Sequence, residues 1–204
     1  MQPLVITISR QYGSGGRAIG ETLAARLGVS YYDKVLLQLA AERSGLSPEF
    51  IAKTEEQTTP SFLFSLSAAT VTGASFFYQY NIPVGDKAFF AQTAVIRELA
   101  AKESCVIVGR CADYVLTGHH ERCLRVFLHA PLEARIARIA ADYKLSEKEA
   151  KDRIHRIDKG RASYYRHYTG SVWGEAKSYD LCVSTAVPGV EGTVDTIAAM
   201  AKNL

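Results

Sequence analysis

Residues 5–20 read VITISRQYGSGGRAIG, and this stretch decides the fold. Leu4 to Ser9 is a short β-branched apolar run, the mark of a buried strand. Gly13, Ser14, Gly15, Gly16 and Arg17 follow. From Ala18 to Leu27 the spacing turns helical, with Ile19, Leu23 and Leu27 on one face and Gly28 as a natural stop. A strand, a glycine turn and a helix in that order form a cradle for phosphate. Glycine admits positive φ, backbone N–H groups can then approach an anion, and the helix N-terminus adds partial positive charge. A tight glycine turn without a ligand would share these residues. The position between a buried strand and an amphipathic helix favours the cradle.

The remaining elements extend the pattern. Strands are expected at Val29–Tyr32, Cys105–Val108, Leu124–Leu128 and Leu181–Val183. Helices are expected at about 34–43, 48–56, 87–102 and 194–201. Pro131 opens a helix carrying Arg135 and Arg138, and Ser146 with Glu149 forms a capping box for the next. Strands alternating with helices predict an α/β fold with a central parallel sheet of about five strands flanked by helices. In such sheets ligands bind beyond the carboxyl ends of the strands. The loops at Arg10–Arg17, Asp33–Lys34 and Gly109–Arg110 are therefore the places to look for chemistry.

Composition narrows the classes. The chain has 204 residues, 48% hydrophobic and 22% charged, enough for one globular domain with a real core. The four cysteines have no CxxC spacing and read as buried free thiols in a reducing compartment. The opening MQPLVITIS shows no secretory signal, so a cytoplasmic location is expected. From Gln57 to Gly85 there is no charge but much aromatic content. Pro60, Gly73 and Pro83 break it, which argues against a membrane span. A covering flap or a homodimer contact through 57–85 fits better. The net charge is +3, from 24 basic and 21 acidic residues. Residues 151–177 alone hold seven cations against three acids. A solvated helix face is the plain reading of such a run. Arginines set among tyrosines also suit a lid that neutralises phosphate and excludes water. The overall basicity is too slight to point to nucleic acid.

These stretches resemble the cytidylate kinase-like family, a branch of the P-loop nucleoside monophosphate kinases. The resemblance rests on VITISRQYGSGGR, YYDK, CVIVGRCADYVL, VFLHAPLEAR and RIDKGRASYYRHYTG, and covers nearly the whole chain. It implies a P-loop kinase fold over residues 1–204, with an acceptor-side helical insert at 45–104 and an arginine-rich helical lid at 146–177. It implies ATP-dependent phosphoryl transfer with Mg2+ to a nucleoside monophosphate such as CMP or dCMP. Gly13, Ser14, Gly15, Gly16 and Arg17 would cradle the donor phosphates. Arg17, Arg156 and Arg161 would serve catalysis, the last two within the lid's R-x-D-x-x-R. Asp33, Lys34, Arg110, Asp113 and Asp158 would bind the acceptor. No residue is expected as a dedicated metal ligand.

Departures from the family pattern fall mainly on the acceptor side. Cys111 replaces the aspartate of the GRD motif, with Asp113 two residues on. Asp33-Lys34-Val35-Leu36-Leu37 replaces DSGAxYR. Arg17 stands for the Walker lysine, and Ala18 supplies no hydroxyl for magnesium. Two further readings therefore stay open: a kinase of a non-nucleotide metabolite, and a nucleotide-binding regulator with weak or no transfer.

Overall fold

A computed structural model describes residues 2–56 and 84–204 of the chain. Five strands form one parallel sheet in the order β2-β3-β1-β4-β5. They are β1 (Val5–Arg10), β2 (Ser30–Tyr32), β3 (Cys105–Val108), β4 (Cys123–His129) and β5 (Leu181–Ser184). The central pairs are in register at Ile6 with Val106, Ile8 with Val108 and Val126, and Arg10 with Leu128. Strands buried on both faces need apolar residues throughout, which is why β1 and β3 read as continuous β-branched runs.

The alternation of strand side chains splits the core in two. Ile6, Ile8, Val106 and Val108 pack on Ile19 and Leu23 of α1 (Gly16–Leu27) and on Val194 and Ile197 of α8 (Gly189–Ala201). Val5, Cys105 and Ile107 face the other way. They meet α2 (Val35–Ser44), α4 (Val84–Lys102), α5 (Ala112–Leu116) and the tyrosines of α7 (Glu147–Thr169). The remaining helices are α3 (Pro48–Glu56) and α6 (Leu132–Tyr143), with a 3-10 turn at Ala176–Ser178.

The expected parallel sheet is present, with strand bounds shifted by a residue or so. Three helical expectations change. α1 begins at Gly16, inside the glycine turn, because Gly15 takes the left-handed N-cap position at φ 85°. The short helix α5 was not expected. The capped helix at 147 runs without a break through the basic segment, giving 23 residues in α7. Its capping box forms as expected, with Ser146 and Glu149 satisfying each other's backbone N–H groups.

The segment 146–177 is thus mostly one helix, and its inner face lies in the core. Ile154, Ile157, Tyr164 and Tyr165 are buried. Tyr164 and Tyr165, expected among the arginines of a lid, are core residues one turn on from Arg161. Trp173 also packs inward, edge-on to Phe127. Cysteine burial departs from expectation at one position. Cys105 and Cys111 are buried and Cys123 is half-buried, but Cys182 is exposed on the edge strand β5. The neutral stretch 57–85, with its expected dimer contact, falls almost wholly outside the described residues. Of the insert at 45–104, the described parts are α3 and α4 with their flanking turns.

Candidate active site

The carboxyl ends of β1, β2 and β3 open into a cavity of about 1070 Å³. Its floor is the turn from Arg10 to Arg17. Gly13 and Gly15 have φ of 82° and 85°, a region that a side chain makes costly. Space is also short: a Cβ on Gly15 would meet the Arg138 guanidinium at 2.8 Å.

The hydrogen bonds of this turn are polarised. Its carbonyls are all held from outside or across the turn. Arg161 donates to the Arg10 carbonyl at 2.9 Å, Arg135 to that of Tyr12 at 3.3 Å, and Arg138 to that of Gly13 at 2.8 Å. The Ser14 hydroxyl donates to the Gln11 carbonyl, and the Thr185 hydroxyl to the Ser14 carbonyl. The Tyr12 N–H donates to Asp158 at 2.8 Å. The N–H groups of Gly13, Gly15, Gly16 and Arg17 have no acceptor among the described residues. Four donors are therefore left open at a helix N-terminus, the setting in which backbone N–H groups bind an anion.

Three arginines, Arg10, Arg110 and Arg161, line the cavity beside the turn. Asp33, at the end of β2, lies 3.9 Å from Arg10 and 3.6 Å from Arg110. Burial first, then repulsion from Arg10, lowers the Arg110 guanidinium to about 10. The same two causes lower Arg161 to about 9. Arg10 is lowered by burial, with Asp33 opposing. All three stay charged at neutral pH, and an anion between them would relieve their mutual repulsion. The Gly109–Arg110–Cys111 turn holds this arrangement with three successive left-handed residues, at φ 81°, 62° and 53°. The latter two are non-glycine residues in a sparsely populated region, a form of strain that concentrates at functional sites.

The site residues expected from sequence divide clearly. Gly13, Gly15, Gly16, Arg17, Asp33, Lys34, Arg110 and Arg161 line the cavity. Ser14 is buried beneath the turn and braces it. Arg17 sits at the rim, its side chain 62% exposed and bonded to Glu21 one turn on. Arg156 is exposed on α7 and does not line the cavity. Asp158 forms an ion pair with Arg135 at 2.6 Å and receives the Tyr12 N–H, so it braces the turn. Asp113 is buried behind the site, where it accepts from Tyr165 at 2.7 Å and from Ser9 at 3.3 Å. Burial raises its pKa above the ordinary carboxylate range, against the pull of those bonds. Both acids act through other residues in this structure and do not face the cavity.

Sequence reading assigned no role to Arg10, Arg135 or Arg138. Arg135 and Arg138 lie one turn apart on α6, and that spacing was the available signal. Arg10 carried none, because as the last residue of a strand it is indistinguishable from a solvent-facing cap.

The cytidylate kinase-like family profile matches residues 5–187. The chain belongs to the cytidylate kinase-like family. It is 25% identical over 192 residues to a cytidylate kinase from Methanopyrus kandleri, covering 90% of this chain and 85% of that protein. Among solved structures it is similar to an uncharacterized protein from Eubacterium ventriosum, with a TM-score of 0.72 at 23% identity, covering 98% and 99% of the two chains. Shikimate kinase from Bacteroides thetaiotaomicron follows with a TM-score of 0.54 at 14% identity, covering 98% of each. At these identities the likeness shows the fold, which is that of the P-loop kinases. Membership in this family places a kinase-like phosphotransferase scaffold around the cavity. No described helix is long and apolar enough to cross a membrane.

Proposed function

We propose that the protein transfers the γ-phosphoryl group of ATP to a small acceptor, a nucleoside monophosphate such as CMP or dCMP. One observation carries the reading: a glycine turn whose carbonyls are all tied back and whose four N–H groups are open faces a buried cluster of arginines. Such a turn binds phosphate without reorganising, and preorganised donors are the main source of phosphoryl-transfer catalysis.

The residues fit the donor. Gly13, Gly15 and Gly16 leave room only for backbone, and the open N–H groups suit the β- and γ-phosphates. Bound Mg2+ would neutralise charge on those phosphates. Among the described residues there is no cluster of three acids, histidines or cysteines to hold it. It would therefore arrive on the nucleotide and keep most of its water. Asp33, Lys34 and Arg110 would orient the acceptor. Arg161 would hold the turn through the Arg10 carbonyl and add charge beside the moving group. The bond that forms joins the acceptor oxygen to the γ-phosphorus. The bond that breaks leaves its electron pair on the ADP oxygen, and a hydroxyl acceptor loses its proton to solvent, whereas a phosphate acceptor has none to lose. Positioning and charge neutralisation do the work, with no covalent intermediate.

The test is ADP release across a panel of nucleoside monophosphates, hydroxy acids and simple alcohols. Turnover with CMP or dCMP supports the reading, and turnover with another acceptor moves the protein to a metabolite kinase. No ADP above background with any acceptor sinks it. Ala18 and the Arg17–Glu21 pair favour a second reading, a nucleotide-binding regulator. Tight ATP binding without turnover across the panel would establish that one instead.

A further inference from the structure

We infer that Arg10, the last residue of β1, is the cation that meets the transferring phosphoryl group, in the place that motif spacing gives to Arg17. This rests on the kinase reading above.

Arg17 is engaged elsewhere. Its Nε donates to Glu21 at 3.1 Å on the first turns of α1, and most of its side chain is in solvent. The hydrogen bond to Glu21 raises its pKa, as expected for a cation already partnered.

Arg10 has the opposite surroundings. Its side chain is only 16% exposed and lines the cavity. It threads between the two glycines that flank the site. A Cβ on Gly16 would lie 2.8 Å from Arg10 Cγ, and one on Gly109 would lie 2.1 Å from Arg10 Nη1. The second distance is far inside van der Waals contact, so any side chain at 109 would displace the guanidinium. Both glycines leave room for this side chain. It runs from the phosphate turn, at Gly16, to the acceptor side, at Gly109 and Asp33. A group crossing from donor to acceptor would pass beside this guanidinium.

The guanidinium is also held in reserve. Among the described residues its contact is the 3.9 Å approach to Asp33, too long for a hydrogen bond. An arginine carries five N–H donors in a rigid fork. At the cavity wall those donors face open space, where an anionic ligand would complete them. The backbone beneath is fixed, with Arg161 on the Arg10 carbonyl and the next N–H donating to the Leu128 carbonyl at 2.9 Å. A forked cation on a rigid strand end, lining the cavity between the phosphate turn and Asp33, suits the equatorial oxygens of a phosphoryl group in flight.

The experiment compares Arg10→Met with Arg17→Met in the full chain. ATP affinity is measured by calorimetry, and kcat by ADP release with the best acceptor of the panel. Arg10→Met is expected to lower kcat on the order of 10³-fold, as loss of a transition-state arginine does. ATP affinity should fall less than about tenfold, since only the moving group loses its partner. Arg17→Met should cost at least about tenfold less in kcat than Arg10→Met. An equal or larger loss with Arg17→Met overturns the inference, and so does an Arg10→Met variant that keeps wild-type kcat. The pair Arg10→Lys and Arg17→Lys repeats the comparison with charge retained and the fork removed, so a methionine variant that unfolds does not end the test. A wild-type protein that neither binds nor turns over ATP fails the kinase reading itself. Reversed variants on an active wild type fail only the role of Arg10.

Discussion

Gly15 and Arg135 show how single residues set the phosphate turn. Gly15 combines a left-handed backbone with a 2.8 Å approach to Arg138, so Gly15→Ala strains the backbone and pushes the guanidinium off the Gly13 carbonyl. The expected outcome is about 1–2 kcal/mol of lost stability in denaturant unfolding. Tripolyphosphate affinity should fall more than tenfold by calorimetry. Arg135→Met breaks the ion pair with Asp158 and leaves a mostly buried carboxylate without its cation. A loss of roughly 3 kcal/mol is expected from unfolding curves, because stranding one member of a buried pair costs more than removing both. The companion variant Arg135→Met/Asp158→Asn should recover part of it. At this scale the sequence was only partly legible. Glycines announce themselves because few other residues adopt positive φ. The direction of an arginine does not, since Arg10 and Arg17 differ in role through what surrounds them: two facing glycines for one, Glu21 for the other. Asp158 sits in the family's lid motif and Asp113 lies two residues past the motif position, yet their carboxylates are spent on Arg135 and the Tyr12 N–H, and on Tyr165 and Ser9.

Elements were easier to read than their ends or extents. Continuous apolar runs located the central strands because both faces of β1 and β3 are covered. The Ser146–Glu149 box marked the start of α7 because its mechanism is local. Ser146→Ala should lower Tm by about 2–4 °C in a thermal melt, the usual consequence of losing a cap in a chain this long. The run of charges on α7 hid its length: its buried stripe, Ile154, Ile157, Gly160, Tyr164 and Tyr165, is interspersed with cations that dominate any average. α5 escaped notice because five residues are too few to show a period. At the sheet edge, Asp180 ties β5 to β4 by accepting from Arg125 Nε at 3.0 Å, Nη2 at 2.7 Å and the Arg125 N–H at 2.8 Å. The side-chain bond from Arg125 holds the Asp180 carboxyl below its ordinary value. A carboxyl lowered on folding adds stability that is present above its unfolded pKa and is lost as pH falls through the folded one. Asp180→Asn should therefore cost on the order of 1 kcal/mol at pH 7, after allowance for partial exposure. The difference from wild type should shrink below about pH 4, the unfolded carboxylate range. Urea titrations at both pH values check this.

For the molecule as a whole, the cavity and the core are coupled through α7, whose inner face carries Arg161 at the cavity and, one turn on, the buried Tyr164 and Tyr165. Ligand in the cavity should stabilise the entire domain. At a free ATP concentration 100 times Kd the gain is about 2.7 kcal/mol, read as a rise in Tm. The fold itself was legible because the alternation of strands and helices is a global pattern, robust to errors at any one boundary. Burial of individual side chains is not such a pattern, and the cysteines illustrate the difference. Cys105 and Cys111 are enclosed, and burial raises the pKa of both thiols, as it raises that of half-buried Cys123 to about 12. Cys182 stands in solvent. The native chain thus offers one exposed thiol, with Cys123 half-covered and two enclosed, and the unfolded chain offers four. A maleimide pulse followed by intact-mass measurement would count molecules rather than average them, separating a folded population from an unfolded one by the number of adducts each carries.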